Sequence, residues 1–271
     1  MPTSFRDLHD RSNPFILANA WDAGSAKMLA GLGAQAIATS SGAHAFTLGR
    51  PDMGTITRDE ALGHAQDLIA AVNIPVSGDF ENGFGDDPDT CAQTVRLAGE
   101  IGLAGISIED VALPAITPYG FDLSVERIRA AAAAARALPN DFVLVARADG
   151  VMNGQYDIDE AIRRIKAYET AGADCLYVPQ PATMHDLARI CAATTLPVNA
   201  LASGTFAKIS RAELAAIGVA RISLGAAIAR VTHRAIYDAA RAMFKDGDFS
   251  PLSHGISGEE IDKMMDFGIS T

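Results

Sequence analysis

Apolar segments of strand length alternate with helical segments eight times along the chain, and this alternation limits the possible fold more than any single motif. Strand-like segments include "PFILANAWD", "FVLVARAD" and "RISLG", and helical ones include "TRDEALGHAQDLIAAV" and "DIDEAIRRIKAYETAG". The strand-like segments are nearly continuous in apolar residues, which is typical of parallel strands covered by helices on both faces. The pattern predicts an α/β fold, a (β/α)8 TIM barrel, with a doubly wound open sheet as the alternative.

The chain is long enough for one barrel and a short addition. Its 271 residues are 49% apolar, and barrels of about 250 residues routinely form one domain. The final segment, "DFSPLSHGISGEEIDKMMDFGIST", opens with Asp, Phe, Ser and Pro and closes with a short helical pattern. Its apolar residues are too few for a core of their own. We therefore expect the barrel over residues 1–245 and a C-terminal helical appendage over residues 246–271, at a subunit interface.

Charge and cysteine content exclude several classes of protein. The net charge is −11 and no block of Lys or Arg stands out, so a nucleic acid or an anionic membrane surface is not expected as a partner. The three cysteines share no CxxC spacing and are expected to be buried thiols in a reducing compartment. No apolar run of about 18 residues and no signal pattern is found. These features predict a soluble, cytoplasmic protein.

Acidic residues concentrate where the third and fourth strands end. Asp79 and Glu81 lie two positions apart in "SGDFENGFG", so they are expected to face the same side, and Glu109 ends the next strand. Three converging carboxylates raise one another's pKa unless a cation neutralises them. Oxygen donors without His or Cys favour Mg²⁺, with Mn²⁺ possible. The alternative is that single carboxylates cap a helix or pair with Arg147.

Five motifs in a fixed order carry a family resemblance. They are "ANAWDAGSAKML", "ATSSGAHAFTLGRPDMG", "GDFENGFG", "SIED" and "VARAD", and together they span most of the chain. In this order and spacing the chain resembles the isocitrate lyase/phosphoenolpyruvate mutase superfamily. The resemblance implies an enzyme that handles the enolate of a small 2-oxo acid beside Mg²⁺. It also implies a homotetramer in which the eighth helix is exchanged between subunits.

The resemblance further implies roles for individual residues. Asp79 would coordinate the metal directly, and Glu81 and Glu109 would hold metal-bound water. The candidates for catalysis are Asp52, Arg147 and Tyr119, and those for substrate binding are Ser41, Gly42, Ala43, His44, Arg147, Gln180 and Asn199. Simpler alternatives are open for three of these: Tyr119 as a packing aromatic, Asn199 as a turn residue and His44 without substrate contact. Helical histidines such as His64 are expected to be surface or packing residues.

One loop departs from the family pattern. Family members that cleave isocitrate or methylisocitrate carry a Lys-[KR]-Cys-Gly-His loop after Ile-Glu-Asp, whose cysteine protonates the departing enolate. Here the loop is "VALPAITPYGFDLSVERI", without Cys, Lys or His. Because a general acid contributes about 10²–10⁴-fold, cleavage of isocitrate or methylisocitrate is expected to be negligible.

The sequence thus favours a Mg²⁺-dependent lyase acting on a small 2-oxo or 2-hydroxy carboxylic acid, with oxaloacetate decarboxylation the best fit. One alternative is phosphonate chemistry on a phosphoenolpyruvate or phosphonopyruvate skeleton. Another is a non-catalytic protein that binds 2-oxo acids. A third is a phosphate-binding barrel that uses "ALASG" and "SLGAA" after the last two strands.

Overall fold

Eight parallel strands close into a barrel. The computed structural model describes residues 4–266, and its strands in chain order are β1 (Phe15–Asn19), β2 (Ile37–Ala38), β3 (Val76–Asp79), β4 (Gly105–Glu109), β5 (Val111–Ala112), β6 (Thr117–Pro118), β7 (Val143–Arg147), β8 (Cys175–Tyr177), β9 (Val198–Leu201) and β10 (Arg221–Ser223). The barrel order is β1-β2-β3-β4-β7-β8-β9-β10, and β10 pairs with β1. Strands β5 and β6 form a separate antiparallel hairpin. The predicted TIM barrel is confirmed, and the doubly wound alternative is wrong.

Helices follow the strands and cover the barrel. In chain order they are α1 (Ala23–Gly31), α2 (Ser41–Thr47), α3 (Arg58–Ala71), α4 (Pro88–Glu100), α5 (Phe121–Ala137), α6 (Ile158–Ala171), α7 (Met184–Ala192), α8 (Arg211–Ala216), α9 (Ala227–Arg241) and α10 (Gly258–Met265). The predicted capping box of α3 is present, because Thr57 and Glu60 each bond the other's backbone N–H. The main core lies between strands and helices and contains Ile106, Leu144 and Ile165.

A second, smaller core fills the barrel interior. It is built from alternate residues of the strands, among them Leu17, Val145 and Tyr177. Phe5 and Leu8, which precede β1, pack into the same core. One line of register neighbours crosses six strands: Glu109, Arg147, Tyr177, Asn199, Arg221 and Phe15. Side chains of register neighbours in parallel strands point to the same side. The line therefore brings polar side chains from several strands into the interior.

Helix α9 and the segment after it lie largely outside the barrel's own packing. Of the residues of α9, which is described in full, Ala229 alone is buried, whereas Val231 and Ile236 are 69% and 64% exposed. Phe244, which follows, is 88% exposed. Helix α10 returns to α1, where Lys27 Nζ donates to the Met265 carbonyl oxygen at 2.7 Å. The last five residues of the predicted appendage, 267–271, lie outside the described residues.

All three cysteine thiols are buried and unpaired, as predicted. Within residues 4–266, no helix has both the length and the apolar character needed to cross a membrane.

Candidate active site

A cavity of about 210 Å³ opens at the carboxyl ends of the barrel strands. Eight residues predicted from sequence line it: Ser41, Gly42, Asp52, Asp79, Glu81, Glu109, Arg147 and Gln180. They come from β3, β4 and β7 or from the segments that follow β2, β3 and β8. A parallel barrel carries all these strand ends to one face, so residues far apart in sequence meet there.

Arg147 is the charged centre of the cavity wall. Its Nη1 lies 2.8 Å from Asp79 Oδ1, and its Nη2 lies 3.1 Å from Glu109 Oε2 and 2.6 Å from Asp149 Oδ2. Burial alone would lower the pKa of Arg147, but Asp149, Glu109 and Asp79 outweigh it and hold that pKa well above its usual value. Burial, and then the charge of Asp149, raises the pKa of Glu109 well above normal. One guanidinium therefore neutralises three carboxylates only in part.

Asp79 joins Arg147 to the start of α2. Its Oδ2 accepts hydrogen bonds from the Ser41 N–H and Oγ, both at 3.0 Å. Its Oδ1, which pairs with Arg147, also lies 3.4 Å from Ser107 Oγ, and its own N–H donates to Thr39 Oγ1 at 2.8 Å. Both carboxylate oxygens thus have partners, and Asp79 is fixed in direction at the cavity wall.

Glu81 and Asp52 add two more carboxylates at the mouth. Glu81 Oε1 accepts the Gly54 N–H at 3.0 Å, and burial, with the nearby charges of Asp79 and Asp52, raises the pKa of Glu81 to about 7. Burial also raises the pKa of Asp52. A Cβ at Gly42 would lie 2.3 Å from Asp52 Oδ2, so glycine lets the Asp52 carboxylate approach α2 this closely, and a larger residue would displace it. These carboxylates together carry more negative charge than Arg147 offsets.

These carboxylates fit a hydrated divalent cation. Within the described residues, no three acidic, His or Cys side chains are arranged as a direct ligand set. Mg²⁺ commonly keeps several waters and takes one or two protein carboxylates, so a direct three-residue set is not required. The available donors are all oxygen atoms. The pKa values of Glu81, Glu109 and Asp52 are raised, and a bound cation would stabilise their charged forms. Asp79, Glu81, Glu109 and Asp52 would hold it.

Two residues expected at the substrate, Ala43 and His44, lie in α2 on its packed side, away from the cavity. The predicted small-residue turn is the first turn of this helix, where the Ala43 N–H donates to Ser40 Oγ at 3.3 Å. The buried His44 ring stacks on His64, with centroids 3.9 Å apart and an interplanar angle of 8°. Neither Ala43 nor His44 lines the cavity, because the helix turns their side chains into its packed face. His64 is a packing residue, as predicted.

Tyr119 and Asn199 also lie away from the cavity lining. The Tyr119 hydroxyl donates to Asp86 Oδ1 at 2.6 Å and accepts from Asn82 Nδ2 at 2.9 Å, while Arg127 stacks on its ring. These contacts hold the ring beside the β5–β6 hairpin. Asn199 is fully buried in the barrel, where its Nδ2 donates to Ser223 Oγ at 2.8 Å.

The sequence prediction missed other residues of the cavity. Arg221, Arg230 and Asn19 line it, and Asn19 Oδ1 accepts the N–H groups of Leu224 and Gly225 at 2.8 and 2.9 Å. A signal for Arg221 was present in "RISLG". Alternation along a strand puts Arg221 on the same side as Ser223, the last residue of β10.

The stacked histidines predict a pH-dependent stability. Burial, and then the charge of His44, lowers the pKa of His64 to about 4. The unfolded chain, with an ordinary pKa near 6.5, binds protons first, so stability falls as pH drops from 6.5 to 4, by at most about 3 kcal/mol. His64→Phe keeps the ring packing but loses the bond to the Trp21 carbonyl oxygen. We expect it to be about 1 kcal/mol less stable than wild type at pH 7 and more stable at pH 4.5.

Urea unfolding at both pH values measures this difference. The matched control is His185→Phe, because His185 is exposed on α7. Its unfolding free energy should equal that of wild type at both pH values. Parallel pH profiles for His64→Phe and wild type would contradict the assignment.

Comparison with known proteins agrees with this barrel fold. The sequence model of the phosphoenolpyruvate phosphomutase family matches residues 5–244. The 2,3-dimethylmalate lyase of Eubacterium barkeri is 32% identical over 225 residues, 79% of this chain and 75% of that protein. The oxaloacetate decarboxylase of Chromohalobacter salexigens is 30% identical over 246 residues, 88% and 83%. A crystal structure from Burkholderia cenocepacia J2315, provisionally assigned as a lyase or mutase, is 46% identical with a TM-score of 0.92, covering 96% and 93%.

The fold and these relatives define an enzyme of the carbon–carbon lyase and mutase class. The chain belongs to the phosphoenolpyruvate phosphomutase family, within the isocitrate lyase/phosphoenolpyruvate mutase superfamily predicted from its motifs.

Proposed function

We propose that this protein is a Mg²⁺-dependent lyase that cleaves a C–C bond of a small 2-oxo or 2-hydroxy acid through an enolate, with oxaloacetate decarboxylation as the reaction. The observation that carries the proposal is Arg147, held among three carboxylates at the wall of an open cavity. Asp79, Glu81, Glu109 and Asp52 would hold Mg²⁺, partly through water. When bound, the ion supplies positive charge beside the substrate's oxygen atoms.

Arg147 is the group of this chain that would face the developing negative charge. Its guanidinium is fixed by its carboxylate partners, so little reorganisation is needed as charge builds on an enolate oxygen. In decarboxylation of oxaloacetate the C3–C4 bond breaks and CO₂ leaves. The electron pair of that bond forms the C2=C3 double bond of the enolate, the π pair of the C2 carbonyl moves to its oxygen, and a solvent proton later adds to C3. The described cavity lining contains no His, Cys or Lys. This supports a reaction whose leaving group requires no proton from the enzyme.

The alternatives have different support. The family model is named for phosphoenolpyruvate phosphomutase, which favours phosphonate chemistry as the second candidate. A protein that only binds 2-oxo acids would share the cavity without turnover. A phosphate site at the loops after β9 and β10 is disfavoured, because the Leu224 and Gly225 N–H groups are already taken by Asn19 Oδ1.

A substrate screen tests the proposal. The purified protein would be assayed with Mg²⁺ against oxaloacetate, 2,3-dimethylmalate, phosphonopyruvate, isocitrate and methylisocitrate, with EDTA as the control. We expect Mg²⁺-dependent turnover of oxaloacetate above its spontaneous loss, and negligible cleavage of isocitrate and methylisocitrate. Turnover of phosphonopyruvate alone would replace the proposal with phosphonate chemistry, and binding without turnover of any substrate would leave a binding protein. The three buried thiols support a reducing, cytoplasmic setting.

We also propose a homotetramer built from dimers that exchange α9. This helix follows β10, the eighth strand of the barrel, and is therefore the eighth helix of the sequence prediction. The exposed apolar residues of α9 and the segment after it support this assembly, because a lone subunit would leave a large apolar patch in water. Light scattering should give about four times the 28.3 kDa chain mass, and truncation at Lys245 should weaken assembly. Ile236→Asp should lower the mass at micromolar concentration, whereas Arg234→Gln, on the opposite side of α9, should not. A wild-type mass near that of one chain would refute the oligomer.

A further inference from the structure

A second arginine lies at the floor of the same cavity. Arg221 is the first residue of β10 and points into the barrel interior, next to Asn199 in register. The residue is 4% exposed and lines the cavity from the first position of its strand, whereas Asp79 and Arg147 line the same cavity from the last positions of theirs. A ligand held by the acidic residues at the mouth would therefore turn its other end towards Arg221.

The guanidinium of Arg221 has unused donors. Its Nε and Nη1 are buried and have no hydrogen-bond partner, and within residues 4–266 no carboxylate lies within ion-pair distance of it. The charged or titratable side chains that act on it from the surrounding strands are Cys175, Tyr177, Asp79 and Arg147. Burial is the largest influence on the pKa of Arg221 and lowers it. Arg147, by contrast, has carboxylate partners for both of its terminal nitrogens.

An unpaired buried cation is costly, and the cost falls when an anion pairs with it. The open volume next to Arg221 is the cavity, so the anion would come from the ligand. In the proposed function, Arg147 and a cation held by the carboxylates at the mouth would bind the first carboxylate and the 2-oxygen of a 2-oxo or 2-hydroxy acid. Arg221 provides a separate positive charge at the floor of the cavity. A ligand with one carboxylate would leave Arg221 unpaired, whereas a ligand with two would satisfy it.

We propose that Arg221 binds the second carboxylate of the substrate and makes the enzyme selective for dicarboxylic over monocarboxylic 2-oxo and 2-hydroxy acids. The inference rests on the function proposed above, in which the first carboxylate and the 2-oxygen face the acidic end of the cavity. Oxaloacetate already belongs to the dicarboxylic class, and the inference adds the residue that selects this class.

The role has a kinetic consequence for oxaloacetate. If the carboxylate at Arg221 is the one that leaves as CO₂, its charge moves towards the enolate oxygen as the bond breaks. The ion pair with Arg221 is then stronger with the bound substrate than in the transition state. Loss of Arg221 should therefore raise KM and leave kcat unchanged or higher.

The test compares two ligands that differ by one carboxylate, malate and lactate, both with Mg²⁺. In Arg221→Met the dissociation constant of malate should rise about 10- to 100-fold, as for loss of a charge-assisted hydrogen bond, while that of lactate should change by less than about twofold. Arg221→Lys should retain part of the malate affinity because it keeps the charge. Calorimetry, or competition against oxalate, measures both.

A second readout separates this role from a structural one. Met has a similar length and no charge, and replacing an unpaired buried ion with an apolar side chain is often neutral or stabilising. We therefore expect the thermal midpoint of Arg221→Met without ligand to equal or exceed that of wild type. A loss of stability with equal loss of malate and lactate binding would assign Arg221 to the fold and overturn the inference. So would unchanged binding of both ligands.

The same experiment tells the two proposals apart. If wild type binds lactate and malate with Mg²⁺ and Arg221→Met does not discriminate between them, the inference fails and the proposed function stands. If wild type binds neither acid and the substrate screen finds no Mg²⁺-dependent turnover of oxaloacetate, the proposed function fails, and the inference that rests on it fails too.

Discussion

Replacing Asp79 with alanine is expected to lower kcat/KM for oxaloacetate by at least about 10³-fold while the fold stays intact. The single carboxylate bonds the Ser41 amide and hydroxyl and pairs with Arg147. Its removal would take away both the proposed direct metal ligand and one support of the arginine that faces the enolate. Loss of one positioned electrostatic group typically costs about 10²–10³-fold, and here two are affected.

Stability should change little in Asp79→Ala. Arg147 keeps Glu109 and Asp149 as partners, so no buried charge is left alone. Circular dichroism and the thermal midpoint check the fold, and calorimetry with oxalate and Mg²⁺ checks the site. Asp79→Asn should lose Mg²⁺-dependent binding to a similar extent, because it keeps the shape but not the charge. Asp262→Ala, on the exposed α10, is the control and should match wild type. Unchanged oxalate affinity with Mg²⁺ in Asp79→Ala would contradict the metal assignment.

The sequence was informative where geometry follows from repetition. Eight alternations define the strands, and parallel strands end on one face. The sequence alone therefore predicts that Asp79, Glu109 and Arg147 lie close together. Glu81 reached the predicted place by another route. It lies beyond the end of β3, with a positive φ of 46°, and turns into the cavity from a bend rather than from the strand.

The sequence was uninformative where a side chain's direction depends on packing. The motif around Ser41 predicts a turn of small residues, but it begins a helix, which turns His44 towards His64. Tyr119 is drawn away from the cavity by Asp86 and Arg127, which no local pattern connects to it. These contacts depend on segments that meet only after folding.

In the barrel interior, by contrast, the sequence does contain a signal for the direction of a side chain, namely the alternation of residues along the strands. Asn199 and Arg221 are register neighbours in line with Arg147 and Tyr177, so the strand period places both inside. What the sequence cannot supply is that Asn199 is bonded to Ser223 whereas Arg221 has free donors. Partner choice in a buried polar group depends on distances of a few tenths of an ångström.

Replacing Arg147 with methionine is expected to produce the largest loss of stability, about 3–5 kcal/mol near neutral pH. Removing one partner of a buried ion pair leaves the other charge uncompensated. Here Asp149 and Glu109, both buried, would be left without their cation. Arg136→Met is the matched control. Arg136 pairs with Asp174 at 2.7 Å, but its side chain is 51% exposed, and such a pair contributes at most about 1 kcal/mol.

The stability difference between Arg147→Met and wild type should also depend on pH and on Mg²⁺. Burial raises the pKa of Asp149 and, with the charge of Asp149, that of Glu109, and loss of the arginine would raise both further. A carboxylate with a raised pKa in the folded state stabilises at low pH and loses that contribution as pH rises. The difference in unfolding free energy between Arg147→Met and wild type should therefore become smaller as the pH falls from 8 to 5. A second change, Asp149→Asn, should restore part of the stability but not the activity.

Added Mg²⁺ should raise the thermal midpoint of Arg147→Met more than that of wild type, because a cation that binds the folded state replaces part of the missing positive charge. Urea unfolding at pH 5, 6.5 and 8, with and without Mg²⁺, measures the loss of stability and its dependence on pH and on Mg²⁺, and thermal unfolding with and without Mg²⁺ measures the midpoint. A pH-independent difference of less than 1 kcal/mol, unaffected by Mg²⁺, would show that the carboxylates do not depend on Arg147 for their charge balance. The electrostatic account of the cavity, and with it the reason for placing a cation there, would then fail.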